Sequence, residues 1–249
     1  GITVDLSKTD DQITSFDGAA TSGAVTGFEN VDLTDYTGGF GANITAGSST
    51  AGTYILEGTF ASDAIYMGLG DDRVIYNDSN GASVDTVYSF TKGGATDTII
   101  VDISDVQTAS ALVSSVTAVM NDGSAAAAAA GTMTIVEASG ATTISSAAND
   151  LIVVVGATFT ADTLGTAFEA GGNRVLTINS TASDVGDTIL TLYSDGTDAY
   201  LAAAVATTED IANTGFEADD LTIVNLVKIS GITSIAAGDF AAGDFEFVA

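Results

Sequence analysis

Gly58-Thr59-Phe60-Ala61-Ser62-Asp63-Ala64-Ile65-Tyr66 is followed directly by Met67-Gly68-Leu69-Gly70-Asp71-Asp72-Arg73-Val74-Ile75. Asp63 and Asp72 stand nine residues apart, and so do Ile65 and Val74. This period fits the nonapeptide G-G-x-G-x-D-x-U-x of a parallel β-roll. In such a repeat six residues turn and three form a short strand whose aliphatic residue points inward. Stacked turns then bring carbonyls and Asp carboxylates from neighbouring repeats towards one ion.

The texture on either side agrees. Up to about Ser104, short β-type runs alternate with Gly/Asn/Asp/Ser turns. The runs are Ile2–Leu6, Phe28–Leu33, Ala42–Thr45, Tyr54–Glu57, Ala64–Tyr66, Arg73–Tyr76, Asp85–Phe90 and Asp97–Ile103. Strands this short at this spacing predict a repeat architecture.

At these residues the chain resembles the RTX family of calcium-binding, type I-secreted bacterial proteins. Gly27-Phe28-Glu29-Asn30-Val31 is similar to the segment that often precedes such repeats. The run from Asp85 through Phe90, Gly94, Asp97 and Asp102 to Ser104 is similar to the one that closes a roll. Only the second nonapeptide keeps both motif glycines, and Ser89 stands where the closing run usually has Asp. The resemblance therefore implies one or two calcium sites rather than a long array.

Beyond the roll, apolar residues at 106, 109, 112, 113, 116, 119 and 120 follow helical spacing. They predict an amphipathic helix over Val106–Met120, capped by Ser104 or Asp105, within a helical connector that spans residues 105–131. The run 125–130 of alanines fits helix or strand. From residue 132 a second β-rich domain is expected. Its strands are Thr132–Val136, Thr142–Ile144, Leu151–Val155, Arg174–Asn179, Thr188–Tyr193, Ala199–Ala204, Leu221–Lys228 and Phe245–Val248. Thr160–Ala170 reads as a short helix, capped by Thr160 and ended by Gly171-Gly172. Asp210–Gly215 reads as another turn of helix. Asp195-Gly196 marks a hairpin. The expected fold is thus mostly β: a short parallel β-roll or β-solenoid (1–104), the connector, and a C-terminal β-rich domain (132–249). The tail resembles an uncleaved type I secretion signal; the plain alternative is a last edge strand.

Composition narrows the function. There are 33 acidic residues against 5 basic ones, for a net charge of −28. Cations are the natural partners; nucleic acid and anionic membrane binding need basic patches. Hydrophobic residues at 46% allow a core. Cys, His, Pro and Trp are absent. No disulfide, Ser-His-Asp triad, Cys nucleophile or ordinary zinc site is possible. No run reaches the roughly 18 apolar residues of a membrane span. The first residues lack the basic start and apolar middle of a signal peptide. A removed signal, another export route, or a longer parent chain would each account for that.

The best calcium ligands are Gly68, Gly70, Asp71 and Asp72, with Asp63 from the preceding turn, because Gly lets the backbone turn and present carbonyls. The plain alternative is an ordinary Gly-Asp turn. Asp85, Asp97 and Asp102 form a candidate second site, or simply flank strands. Asp195 and Asp198 are candidates too, although Asp-x-x-Asp around Gly is also turn chemistry. Asp219-Asp220, Asp239 and Asp244 are candidates for bridging at subunit contacts. A carboxylate pair could hydrolyse glycosides, but that needs sugar-stacking aromatics in a groove. Trp is absent, and the Phe and Tyr residues sit mostly at core spacing.

The expected function is therefore non-catalytic. The chain reads as a Ca²⁺-dependent, self-assembling extracellular structural protein, a surface-layer or filament subunit. Its partners would be further copies of itself and cell-surface polysaccharide, with no nucleic acid and no membrane insertion. The rival readings are the C-terminal calcium-binding or secretion module of a larger RTX adhesin or of a secreted hydrolase. Strand exchange between copies would involve Ile2–Leu6 and Phe245–Val248.

Overall fold

The computed structural model describes residues 1–21, 24–49, 52–76, 83–94, 96–102, 106, 118–119, 131–144, 150–178, 185–208 and 216–248. The chain opens with β1 (Ile2–Asp5), β2 (Ile13–Phe16) and β3 (Ala19–Ala20). Then follow β4 (Val31–Asp32), β5 (Asn43–Thr45), β6 (Ile55–Glu57), β7 (Ala64–Tyr66), β8 (Arg73–Tyr76), β9 (Asp85–Tyr88) and β10 (Thr98–Asp102). The runs read from the sequence fall on these strands. The antiparallel hairpin β2–β3 is additional.

From β4 to β10 consecutive strands alternate between two sheets. β5, β7 and β9 lie side by side in one, and β4, β6, β8 and β10 in the other. All these neighbours are parallel. Each strand buries one aliphatic side chain at matching register: Val4, Ile44, Ile65 and Val87 in one sheet, Leu56, Val74 and Ile99 in the other. A three-residue strand supplies one inward side chain, so only stacking of layers makes a continuous core. The outer surface shows the same layering, where the Tyr66 and Tyr88 rings stack 4.5 Å apart.

The second half comprises β11 (Ala118–Val119), β12 (Gly131–Thr132), β13 (Thr134–Ala138), β14 (Thr142–Ile144) and β15 (Asp150–Val154). After α1 (Ala161–Phe168) come β16 (Leu176–Ile178), β17 (Asp187–Ser194), β18 (Ala199–Ala206), β19 (Leu221–Ile229) and β20 (Phe245–Val248). Thr160 caps α1 as expected, accepting the Thr163 N–H at 3.3 Å. β17 and β18 make the expected hairpin. The sheet β13-β15-β17-β18-β19 is buried on both faces at its centre, along β17 and β18. One face joins the core under the N-terminal strands. The other lies beneath α1 and the pair β14–β16. Alternate residues serve each: Leu190 and Leu192 one face, Ile189 and Tyr193 the other.

The two halves share their sheets. β19 pairs in parallel with β9, giving 12 strands in the larger sheet. β20 pairs in parallel with β10 and antiparallel with β12, giving 6 in the smaller. The C-terminal strand is therefore interior rather than an edge, and β1 likewise lies between β2 and β5. Neither segment named for strand exchange is an unpaired edge. The connector expectation falls largely outside the described residues; within the stretch expected to be helical, Ala118–Val119 is instead extended and pairs with Asp187–Thr188. The alanine run and the helical turn expected at 210–215 also lie outside them. Among the described residues no helix is long and apolar enough to cross a membrane.

Candidate functional site

Five strands of the two sheets are entered through an aspartate. Asp63 precedes β7, Asp72 precedes β8, Asp97 precedes β10, Asp244 precedes β20, and Asp85 opens β9. All five are buried. The side chain of each of four folds back on its own turn. Asp63 Oδ2 accepts the Thr59 N–H at 2.6 Å, and Asp72 Oδ2 accepts that of Gly68 at 2.7 Å. Asp97 Oδ2 accepts the Thr91 N–H at 2.7 Å, and Asp244 Oδ2 that of Ala241 at 2.8 Å.

The second oxygen reaches the neighbouring layer. Asp63 Oδ1 accepts the Ala42 N–H, and Asp85 Oδ1 accepts the Asp63 N–H at 2.9 Å. In the other sheet Asp97 Oδ1 accepts the Asp72 N–H at 3.2 Å, and Asp244 Oδ1 accepts that of Gly93 at 3.1 Å. Two ladders of carboxylates thus run up the stack, each rung capping a main-chain donor that a tight turn leaves unpaired. The side chain is short enough to do this without leaving the turn, which accounts for the preference for Asp over Glu.

Asp72 is the candidate ligand at the Gly68–Gly70 turn. Its side chain is fully buried, and Oδ1 has no hydrogen-bond partner. Burial holds the Asp72 carboxyl above the usual aspartate range; the Gly68 and Tyr54 N–H groups oppose this and the charge of Asp97 adds to it. Burial likewise raises Asp97, against the Thr91 and Asp72 N–H groups. A charge buried with an unpaired oxygen is costly unless something neutralises it.

The turn before Asp72 is built from close backbone approaches. A Cβ on Gly68 would lie 1.9 Å from the Gly47 carbonyl oxygen. Gly70, at φ +124°, sits against the carbonyls of Gly52 and Ser49, which a Cβ would meet at 2.2 and 2.9 Å. The unpaired Asp72 oxygen and these carbonyls are hard oxygen donors of the type calcium takes, although the Gly47, Ser49 and Gly52 carbonyls each already accept one main-chain N–H, from Leu69, Gly52 and Asp71. Among the described residues no three acidic side chains converge on one point. A cation here would therefore draw most of its ligands from carbonyls.

The remaining candidates are placed differently. Asp71 is exposed beside Asp72. Asp85 lies in the larger sheet, whereas Asp97 and Asp102 stand at opposite ends of β10, about 16 Å apart along an extended strand. These three are not brought together. Asp195 and Asp198 occupy the β17–β18 turn, remote in sequence and on another hairpin. Asp195 Oδ1 accepts the Thr197 and Asp198 N–H groups at 2.7 and 2.9 Å, and Asp198 Oδ1 accepts that of Gly231 at 2.8 Å. Asp195 holds the turn itself, and Asp198 ties it to the segment that follows β19. Among the acids expected at subunit contacts, Asp244 and Asp220 are buried instead. Asp220 accepts the Glu217 N–H and the Thr208 hydroxyl. Asp239 pairs with Lys92 at 2.6 Å. Sequence reading missed the capping role of Asp244, although its place just before a strand matches that of Asp63 and Asp72. It also missed four exposed phenylalanines, Phe16, Phe28, Phe40 and Phe60.

No protein-family model, curated protein or solved structure matches this chain.

Proposed function

We propose that the chain is a calcium-dependent, self-assembling structural protein of the extracellular space, a surface-layer or filament subunit whose residues 1–104 form a short parallel β-roll. The observation that carries this reading is the buried Asp72 carboxylate, with one oxygen unpaired, in a ladder of stacked carboxylates. The strict alternation of β4 to β10 between two sheets supports the roll. The net charge of −28 supports the dependence on cations, since identical copies repel until divalent ions bridge them.

In this reading Asp72 and the carbonyls around Gly70 hold calcium, which neutralises the buried charge and stabilises the folded chain. Asp63, Asp85, Asp97 and Asp244 set the turns so that those oxygens face inward. Exposed carboxylates such as Asp71 are available for bridging between copies. Electron microscopy of the purified chain, in calcium and after chelation, tests the proposal. Ordered sheets or filaments that dissolve in chelator are expected. Monodisperse particles in both conditions would overturn assembly and point to a binding or secretion module.

A further inference from the structure

A groove of about 580 Å³ crosses the outer face of the larger sheet beside the strand entries. Its floor is one row of side chains in register across five strands. Ser15 on β2 faces Thr3 on β1, then come Asn43 on β5, Ala64 on β7 and Thr86 on β9. Strands lie about 4.8 Å apart, so the row is roughly 19 Å long. Ser15 Oγ donates to Thr3 Oγ1 at 2.9 Å. The Asn43 and Thr86 side chains bond to no described residue, which leaves an amide and a hydroxyl for a ligand.

Phe40 stands at the rim, 66% exposed. It also lines a neighbouring hollow of about 270 Å³ with Tyr36 and Phe60. Phe40, Phe60 and Tyr36 together make a contiguous aromatic patch with two exposed rings, and such patches mark contact surfaces. The electrostatics limit the partner. In a chain of net charge −28, Asp63 is the one ionisable side chain among the described residues that line the groove, and it is buried, while the Gly1 amino group at one end is paired with Asp17 at 3.5 Å. The lane is neutral within a strongly negative field, so it offers neither carboxylates to a cationic ligand nor a welcome to an anionic one.

We propose that this groove binds a neutral, linear oligosaccharide. Pyranose rings present apolar C–H faces and hydroxyl edges, which match the Phe40 ring and the Ser/Thr/Asn row respectively. Ala64 in mid-row keeps the floor low enough for rings to lie flat. The groove shares only the buried Asp63 with the aspartate ladders, and sugar binding there does not depend on calcium at Asp72.

The test is calorimetric titration of the full chain with maltohexaose, cellohexaose and chitohexaose, with hexagalacturonate as the charged comparator. Runs with and without calcium separate this inference from calcium-dependent assembly. At least one neutral hexasaccharide is expected to bind, and hexagalacturonate not to. Phe40→Ala and Asn43→Ala should each weaken binding about tenfold or more. Leu69→Ala, exposed but outside the groove, should leave it unchanged. All three positions are on the surface, and unchanged thermal melts would show the variants folded. The inference is overturned if no neutral hexasaccharide binds at millimolar concentration. It is also overturned if the charged one binds as well, or if Phe40→Ala and Asn43→Ala bind like the parent.

Discussion

Asp63 and Asp72 occupy equivalent places in consecutive nonapeptides, yet they answer different demands. Both oxygens of Asp63 accept backbone N–H groups, from Thr59 and Ala42. An amide offers only one acceptor oxygen, so Asp63→Asn leaves a buried donor unpaired and should cost about 1–3 kcal/mol. Asp72 uses one oxygen, and the other is unpaired. Asp72→Asn should therefore lose no stability in chelator, while abolishing stabilisation by calcium. Urea unfolding of both variants with and without calcium checks the contrast.

The same residues set the pH response. Asp72 and Asp97 titrate above the usual 3.8, so the native state binds protons that the unfolded chain does not yet bind. In chelator, their contribution should rise as pH falls from neutral through the raised values, and be complete below 3.8. Asp239 and Asp195 act in the opposite sense. The Lys92 contact lowers Asp239. At Asp195 burial pushes upward but is outweighed by the Asp198 and Thr197 N–H groups. Their contribution is lost as pH falls below 3.8 through the lowered values. The melting temperature in chelator should thus pass through a maximum on the acid side of neutral. A monotonic fall from neutral pH would contradict it.

Elements this short depend on how closely their turns stack. Gly70 combines φ +124° with carbonyls at 2.2 and 2.9 Å from a would-be Cβ, so Gly70→Ala should cost more than about 1 kcal/mol. Gly140 has nothing within 4 Å, and Gly140→Ala should stay within about 0.5 kcal/mol. Chemical denaturation of the pair checks this directly. At the other end of the chain, Phe245 and Phe247 on β20 are buried in the core shared with the N-terminal strands. Phe245→Ala should cost about 3–5 kcal/mol. A tail acting only as an appended signal would show almost no loss. Strand positions were legible where a run places an apolar residue between turn residues: Ala64–Tyr66, Arg73–Tyr76 and Phe245–Val248 are found as read. The β2–β3 hairpin was not, because Ile13–Phe16 is only half-buried and gives little apolar alternation.

At the scale of the whole molecule, charge and closure act together. Four of the five basic residues are tied within the fold. Arg73 pairs with Glu246, Lys92 with Asp239 and Lys228 with Asp198, while Arg174 lies over the Phe159 ring. The first two join the N-terminal half to the C-terminal tail. Half-exposed pairs of this kind add little stability singly, so they leave most of the negative charge uncompensated. Calcium at a hundredfold excess over its dissociation constant should stabilise the chain by about 2.7 kcal/mol per site. Sodium chloride at matched ionic strength should give clearly less, because screening cannot fill the Asp72 oxygen. Thermal melts in the two salts decide this; equal shifts would mean that screening alone is at work.

The sequence by itself determined the strand lengths, the turn positions and the acidic character, because each is a local property of residue type and spacing. It also singled out Asp63 and Asp72, since their nine-residue period is visible without coordinates. Only the tertiary structure decided what the carboxylates do. Whether an aspartate caps a donor, keeps an oxygen unpaired or faces solvent depends on the layer stacked against it. Asp71 and Asp72, adjacent in the chain, end up exposed and buried respectively. The junction of the halves was likewise invisible. β19 and β20 find β9 and β10 through main-chain hydrogen bonds between segments more than a hundred residues apart, and such bonds carry no side-chain signature.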